Sequence, residues 1–312
     1  MICKMILTFD CEDFINNRST VALYRILDLL DKHNVKGLFF LTGHMTEKIS
    51  HLPKLVDSLE NQEIGYHSSS HTVRPTIIEY TDVESYASAR KSSMTRETRH
   101  INPITGEPEG KGGIILLRDV FPTKRISSFR APGYCYSPPH LEALNELGVK
   151  FDFSTNISQT SFCFKNTTFY PFPSLVDRVK AKACAKTLKL LVKNRLSVLA
   201  FHPNSAVNAR HWDSLYYHGN PERLFPTPAK TWEETKSFLR RFELVLIYLR
   251  GFERMGVLEI TTKLESGKRK QELSRSCIVR SYNESVWWPR NQLGYTPKFI
   301  FKHFKEFFSL QS

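Results

Sequence analysis

The sequence predicts an α/β barrel followed by a basic extension, and three observations carry that prediction. Short β-branched and aromatic runs alternate with amphipathic helical runs from residue 4 to residue 261. Strands joined by helical crossovers pair in parallel with right-handed connections. Seven or eight such units close best as a barrel, with an open doubly wound sheet as the alternative. Finally, the acidic, imidazole and guanidinium side chains collect just after the strand-like runs, where a parallel barrel keeps its active site.

Each element has its own justification. Lys4–Asp10 is an apolar strand that runs into acids. Ser19 or Thr20 can cap a helix through about Asn34, with Leu23, Ile26, Leu27 and Leu30 on one face. Lys36–Thr42 is a buried strand stopped by Gly43, and Thr46–Asn61 the next amphipathic helix. Glu63–Tyr66 is a third strand, leading directly into HSSSH. Thr81 or Asp82 opens a helix to about His100, and the Gly- and Pro-rich stretch Asn102–Gly113 reads as a loop. Ile126–Arg130 is a strand ending in RAPGY, Pro138–Leu147 a helix ended by Gly148, and Val149–Ser154 and Phe169–Phe172 are strands. A basic helix is expected over Val176–Asn194, a strand over Ser197–Phe201, a long helix over Glu233–Met255 and a last strand over Val257–Thr261.

Composition narrows the function. With 312 residues, 41% hydrophobic and 24% charged, the chain can bury a large core, which excludes disorder or coiled coil as descriptions of the whole. No apolar run of about 18 residues occurs. The net charge of +13 suits an anionic partner such as lipid headgroups or a phosphorylated substrate. A nucleic-acid partner is not expected, because no zinc-finger spacing or aromatic-Gly sheet signature accompanies the charge. Six cysteines without a C-x-x-C pair, and an N-terminus reading directly as a strand, lead to the expectation of a reducing, cytoplasmic setting. No G-x-G-x-x-G or G-x-x-x-x-G-K-[ST] follows any strand, which counts against phosphate-cradle enzymes.

The reactive residues are Asp10, Glu12 and Asp13 after the first strand, and His67 and His71 after the third. Arg130 and Tyr134 follow the fourth, Asp152 lies on the fifth, and His202 ends a late strand. H-x-x-x-H puts two imidazoles on one face if that turn is helical, and two histidines with one carboxylate make a metal-hydrolase ligand set. Alone the pair is a weak signal. Together with a carboxylate at a neighbouring strand end it is a stronger one.

The whole set resembles a family. TFDCED at 8–13, HSSSH at 67–71, FRAPGY at 129–134, FDFS at 151–154 and LAFHPN at 199–204 look like the five motifs, in order, of polysaccharide deacetylases with a NodB-homology domain, a carbohydrate esterase family. The resemblance covers about residues 4–261. It implies a distorted (β/α)7 barrel and metal-dependent removal of an N- or O-acyl group from a sugar. It also implies Asp10 as general base, His67 and His71 as metal ligands, and Arg130 as the group orienting the base. The segment at Pro132–Tyr134 would contribute to the oxyanion site, Asp152 would orient His202, and His202 would be the general acid. The first motif departs from the common T-F-D-D-G. Spacing favours Glu12 as the acidic ligand and acid identity favours Asp13, with Glu12 preferred.

These residues match what amide hydrolysis needs: an activated water, a base, an oxyanion stabiliser and a proton for the leaving amine. Zinc is the default metal, although nickel, cobalt and iron bind the same ligands. The expected division is a catalytic barrel over 1–262 and a basic extension over 263–312. In the extension, Ile300, Phe304, Phe307 and Phe308 share one helical face and Lys298, Lys302 and Lys305 lie largely off it. That pattern suits peripheral contact with the inner face of a membrane, a packing helix on the barrel or a dimer contact. The expected substrate is a cytosolic glycan or glycolipid precursor bearing an N-acetyl or other N-acyl sugar, nucleotide-linked or lipid-linked forms included. A deformylase or small-amide hydrolase on the same scaffold, and an inactive carbohydrate-binding protein, are the alternatives.

Overall fold

The computed structural model describes residues 4–12, 15–69, 71, 85–102, 105–132, 138–154, 161–170, 174–175, 196–209, 227–249 and 253–254. The elements run β1 (Lys4–Cys11), α1 (Asn17–Lys32), β2 (Leu38–Leu41), α2 (Gly43–Ser50), α3 (Pro53–Glu60) and β3 (Glu63–Tyr66). Next come α4 (Tyr86–Thr98), β4 (His100–Ile101), β5 (Pro108–Glu109), α5 (Gly113–Val120), β6 (Ser128–Phe129), α6 (Pro138–Glu146) and β7 (Phe151–Asp152). Then follow β8 (Phe162–Phe164), β9 (Thr167–Phe169), β10 (Ser174–Leu175), β11 (Leu196–Phe201), a 3₁₀ turn (Pro203–Ala206), α7 (Trp232–Tyr248) and β12 (Glu253–Arg254).

The main sheet has the order β10-β11-β1-β2-β3-β6-β7-β9-β8. All neighbours pair in parallel except the β8–β9 hairpin. β12 pairs in parallel with Lys4 and Met5, below the point where β2 begins at Thr8. The sheet curls strongly. Three strand spacings separate β1 from β6, which in a flat sheet would be about 14 Å, yet Arg130 at the end of β6 touches both Thr8 and Asp10 on β1. This is the mixed α/β, deacetylase-type (β/α)7 architecture, and among the described residues no pairing joins β10 to β8.

Strand alternation sorts the core into two layers. Ile6, Leu38, Phe40, Phe151, Phe153, Tyr170, Val198 and Ala200 form an inner cluster. Met5, Leu7, Phe9, Cys11, Phe39 and Leu41 face outward, against α1, α2, α3 and α7. Phe9 stacks on Phe39 at 4.4 Å, and Phe242 of α7 meets Phe201 edge-on at 5.0 Å.

Several elements differ from the sequence reading. The helix expected over Thr46–Asn61 is two helices, because Pro53 removes a donor and turns Leu52 out of the helical region. α1 begins at Asn17 with Asn16 in the cap position, so Ser19 and Thr20 lie in its first turn. Residues 100–109 carry a short antiparallel pair, and α5 follows it. The strand expected at Phe169 begins at Thr167 and is half of a hairpin, whose two-residue turn Lys165–Asn166 has both φ values positive. α7 starts at Trp232 under a capping box made by Thr231 and Glu234, and Glu253–Arg254 is strand rather than helix. The expected helix over Val176–Asn194, the strand over Val257–Thr261 and the extension 263–312 lie outside the described residues.

Candidate active site

β1 supplies two acids on its inner face. Alternation puts Thr8, Asp10 and Glu12 inward and leaves Cys11 outward in the helix-covered layer. Burial pushes the Cys11 thiol well up, and the carboxylates of Asp10 and Glu12 push it the same way. Cys11 is therefore a packed thiol on the far side of the strand.

Asp10 is held by Arg130, whose Nη1 donates to Asp10 Oδ1 at 2.6 Å. Nη2 donates to Thr8 Oγ1 at 3.0 Å and Nε to the Phe153 carbonyl at 3.1 Å, and the guanidinium lies 4.6 Å from the Phe40 ring centroid. The fork is thus spread over three acceptors, two on β1 and one at the end of β7. Thr8 was not among the expected site residues. The signal for it was present, since it sits two residues before Asp10 and shares its strand face.

His202, which follows β11, points its Nε2 at Asp10 Oδ2 from 3.6 Å and at Glu12 Oε1 from 4.0 Å. Glu12 Oε2 lies 3.1 Å from His67 Nε2 and 2.9 Å from His71 Nε2. Burial works to raise the Glu12 carboxyl, but the imidazoles of His71, His67 and His202 outweigh it and hold it well below the usual range.

The two histidines converge without a helix. His67 leaves β3 in extended pairing, its N–H donating to the Leu41 carbonyl. Ser68 and His71 then adopt left-handed backbone, with φ of 66° and 51°, an uncommon state for residues with a Cβ. The expected helical i, i+4 face is therefore replaced by a tight loop that brings the rings to 4.8 Å between centroids. The first backbone amides of α2 help to hold it: Gly43 N–H donates to the Ser68 carbonyl and His44 N–H to that of Ser69.

The donor set fits a divalent metal. His67 Nδ1 is 2.6 Å from the Arg130 carbonyl, which can only accept, so Nδ1 carries the proton and Nε2 offers a lone pair. That lone pair, a ring nitrogen of His71 and a Glu12 oxygen all lie within 4.8 Å of one another in a buried site. Acceptor atoms converging away from water call for a cation between them. Asp13 and Tyr134 lie outside the described residues.

Asp152 is buried, and its Oδ1 accepts the Ser154 N–H at 2.7 Å while Ser154 Oγ accepts that of Ala131. Burial lifts its carboxyl to about 7, against the pull of Ser154 and the charge of Arg130. Its described hydrogen bond thus runs to its own strand end and not to His202. Phe151 and Phe153 both belong to the inner cluster, so alternation turns the residue between them away from the barrel interior.

Residues 3–112 match the family model for polysaccharide deacetylase. The match covers the first part of the chain. In fold the chain is similar to a Mycobacterium smegmatis protein described as a polysaccharide deacetylase, with TM-score 0.56 and 16% identity over 88% of this chain and 94% of that one. It is also similar to a 4-alpha-glucanotransferase from Thermococcus litoralis, with TM-score 0.50 and 12% identity over 84% of this chain and 40% of the other. A family 4 carbohydrate esterase from Streptomyces lividans, in complex with acetate, aligns at TM-score 0.45 and 12% identity over 82% and 93% of the two chains. None of the curated proteins matches the chain. Identities this low speak for fold only, and one fold hosts many chemistries, so the details of function rest on the site.

Proposed function

We propose that the protein is a metal-dependent hydrolase that removes an N-acetyl or other N-acyl group from a sugar. Glu12, His67 and His71 would hold one divalent ion, with zinc the first choice for two imidazoles and a carboxylate. The observation that carries the reading is the juxtaposition of that ligand set with Asp10 and His202, an acid and an imidazole 3.6 Å apart at neighbouring strand ends.

The metal would supply a water acidified toward neutrality and a polarised carbonyl. The chain's own residues supply the rest. Arg130 fixes Asp10 through Oδ1, leaving Oδ2 toward His202 and the strand ends, where it can take the attacking water's proton. His202 Nε2, across from it, can give a proton to the departing amine. His67 keeps its tautomer through the Arg130 carbonyl, so Arg130 serves both halves of the site, by its side chain and by its backbone. No covalent nucleophile is needed. Asp152 would act on this machinery through Arg130, whose charge it feels.

A sugar carried on a nucleotide or a polyprenyl phosphate fits the basic charge balance, and a cytoplasmic enzyme beside a membrane surface fits the pattern of residues 298–309. The test is metal analysis of the full chain together with acetate and formate release from nucleotide- and lipid-linked acylamino sugars. Acetate release that stops with a chelator and returns with a divalent metal is expected. Release of formate alone would convert the reading to a deformylase. No release from a metal-loaded chain would leave a binding protein.

A further inference from the structure

The face of the histidine loop turned away from the metal ligands rests on a buried charge. Glu97, on the inner side of α4, is fully buried, as is its partner His140 on α6. Its Oε1 accepts from His140 Nε2 at 2.8 Å and from Arg96 Nη2 at 3.1 Å, and its Oε2 accepts a short hydrogen bond from the Tyr66 hydroxyl. A buried carboxylate is costly unless well paired, and even then seldom stabilises a fold more than apolar packing would. Its position is therefore informative, because Tyr66 directly precedes His67.

The network continues into the loop. The Tyr66 hydroxyl lies 3.2 Å from Ser69 Oγ, which is also 3.1 Å from the Arg96 carbonyl and accepts the Gly113 N–H at 3.1 Å. Ser69 is two residues from each histidine. Two glycines close around it. A Cβ on Gly43 would stand 2.7 Å from the Ser69 carbonyl oxygen, and one on Gly113 would stand 2.8 Å from Ser69 Cα and from the Tyr66 hydroxyl. α2, α4 and α5 thus meet on one serine with no room for displacement.

We propose that Glu97 is a positioning residue for the metal centre: through Tyr66 and Ser69 it fixes the loop that aims His67 and His71 at Glu12. This inference rests on the metal site proposed above. The carboxylate orders the hydroxyl, the hydroxyl and the two glycines fix Ser69, and the left-handed turns at Ser68 and His71 hold only while Ser69 is fixed. Supporting contacts of this kind tune metal affinity rather than supply ligands.

The test uses the full chain with Zn²⁺ and Co²⁺ as probes. Zn²⁺ affinity is measured by competition with a chromogenic chelator, and ligand geometry by the visible absorption of the Co²⁺ form. Glu97→Gln and Tyr66→Phe are each expected to weaken Zn²⁺ binding by about 10–100-fold and to change the Co²⁺ bands, with occupancy recovered at excess metal. Leu59→Ala, a buried change on α3 remote from the loop, should lower thermal stability and leave both readings unchanged. Tyr66→Phe removes one oxygen only, so the inference stays open to refutation even if Glu97→Gln fails to fold. Zn²⁺ affinity within twofold of the parent in Tyr66→Phe, with an unaltered Co²⁺ spectrum, would overturn it while the metal site stands. A parent chain that binds neither ion would overturn the metal site and this inference with it.

Discussion

Replacing Arg130 by Lys keeps the charge and removes the fork. Arg130 has no solvent exposure and directs three nitrogens at Asp10, Thr8 and the Phe153 carbonyl. An ammonium on a flexible stem can serve one of these directions well, so two hydrogen bonds from a charged donor are lost. At roughly 1.5–3 kcal/mol each, the change is worth about 3–6 kcal/mol, a large share of the ~5–15 kcal/mol that holds a typical domain together. Asp10 would also lose its fixed orientation, and misplacement of a reacting group by about 1 Å costs on the order of 10² in rate. Urea unfolding followed by circular dichroism reads the first effect, and kcat on a metal-saturated preparation reads the second. Arg130→Met should be worse than Lys, because it gives up all three hydrogen bonds and also leaves Asp10 buried without its charge partner. An Arg130→Lys variant within about 0.5 kcal/mol of the parent, the range of an ordinary surface change, and with undiminished kcat would refute the argument that the planar fork holds the base.

Asp10→Asn and His202→Ala should each lower turnover by ~10²–10⁴ while metal content by atomic absorption stays near that of the parent; full activity in either removes that residue from the mechanism. Asp152, ordinarily ionised above 3.8 but raised to about 7 in the fold, keeps a proton in the native state that the unfolded chain has released. It therefore costs stability as pH rises through that window, and Asp152→Asn should gain on the parent from pH 4 to 7, by at most roughly 4 kcal/mol; parallel stability curves for the two proteins would show that the carboxyl titrates normally. For residues 263–312, co-sedimentation with anionic vesicles at low salt should capture the full chain and not one ending at residue 296, and equal capture of both would exclude membrane contact through the terminal amphipathic segment.

Much of the strand framework was legible because its signal is local. Runs such as KMILTFD and SVLAF are long enough to show their period, and the acids and histidines that follow them fall at strand ends for the same topological reason. The choice between Glu12 and Asp13 turned on spacing, and the structure puts Glu12 against both histidines. Other features depend on partners far along the chain. Nothing local in HSSSH announces left-handed backbone at Ser68 and His71, since those angles are imposed by α2 and α5 closing on the loop. Glu97 reads as one polar residue among many in a helix with little amphipathic pattern, and its burial follows from Tyr66 and His140, 31 and 43 residues away. Some misses were available to local reading: Pro53 marks the break between two helices, and T-x-x-E at Thr231–Glu234 marks the start of the last one.

The outward turn of Cys11 has a practical consequence. A thiol reacts with alkylating reagents as the thiolate, and this one is sealed behind α1 and α2 with its ionisation suppressed. β1, on which it sits, lies between β11 and β2 near the middle of the sheet. Iodoacetamide can therefore reach Cys11 only when that strand opens. Peptide mapping of its carboxamidomethylation over time would follow the opening of the central strand, much as amide hydrogen exchange does. Cys163, on the β8 edge of the sheet and partly exposed, would be labelled under the same conditions without such opening and provides the internal reference.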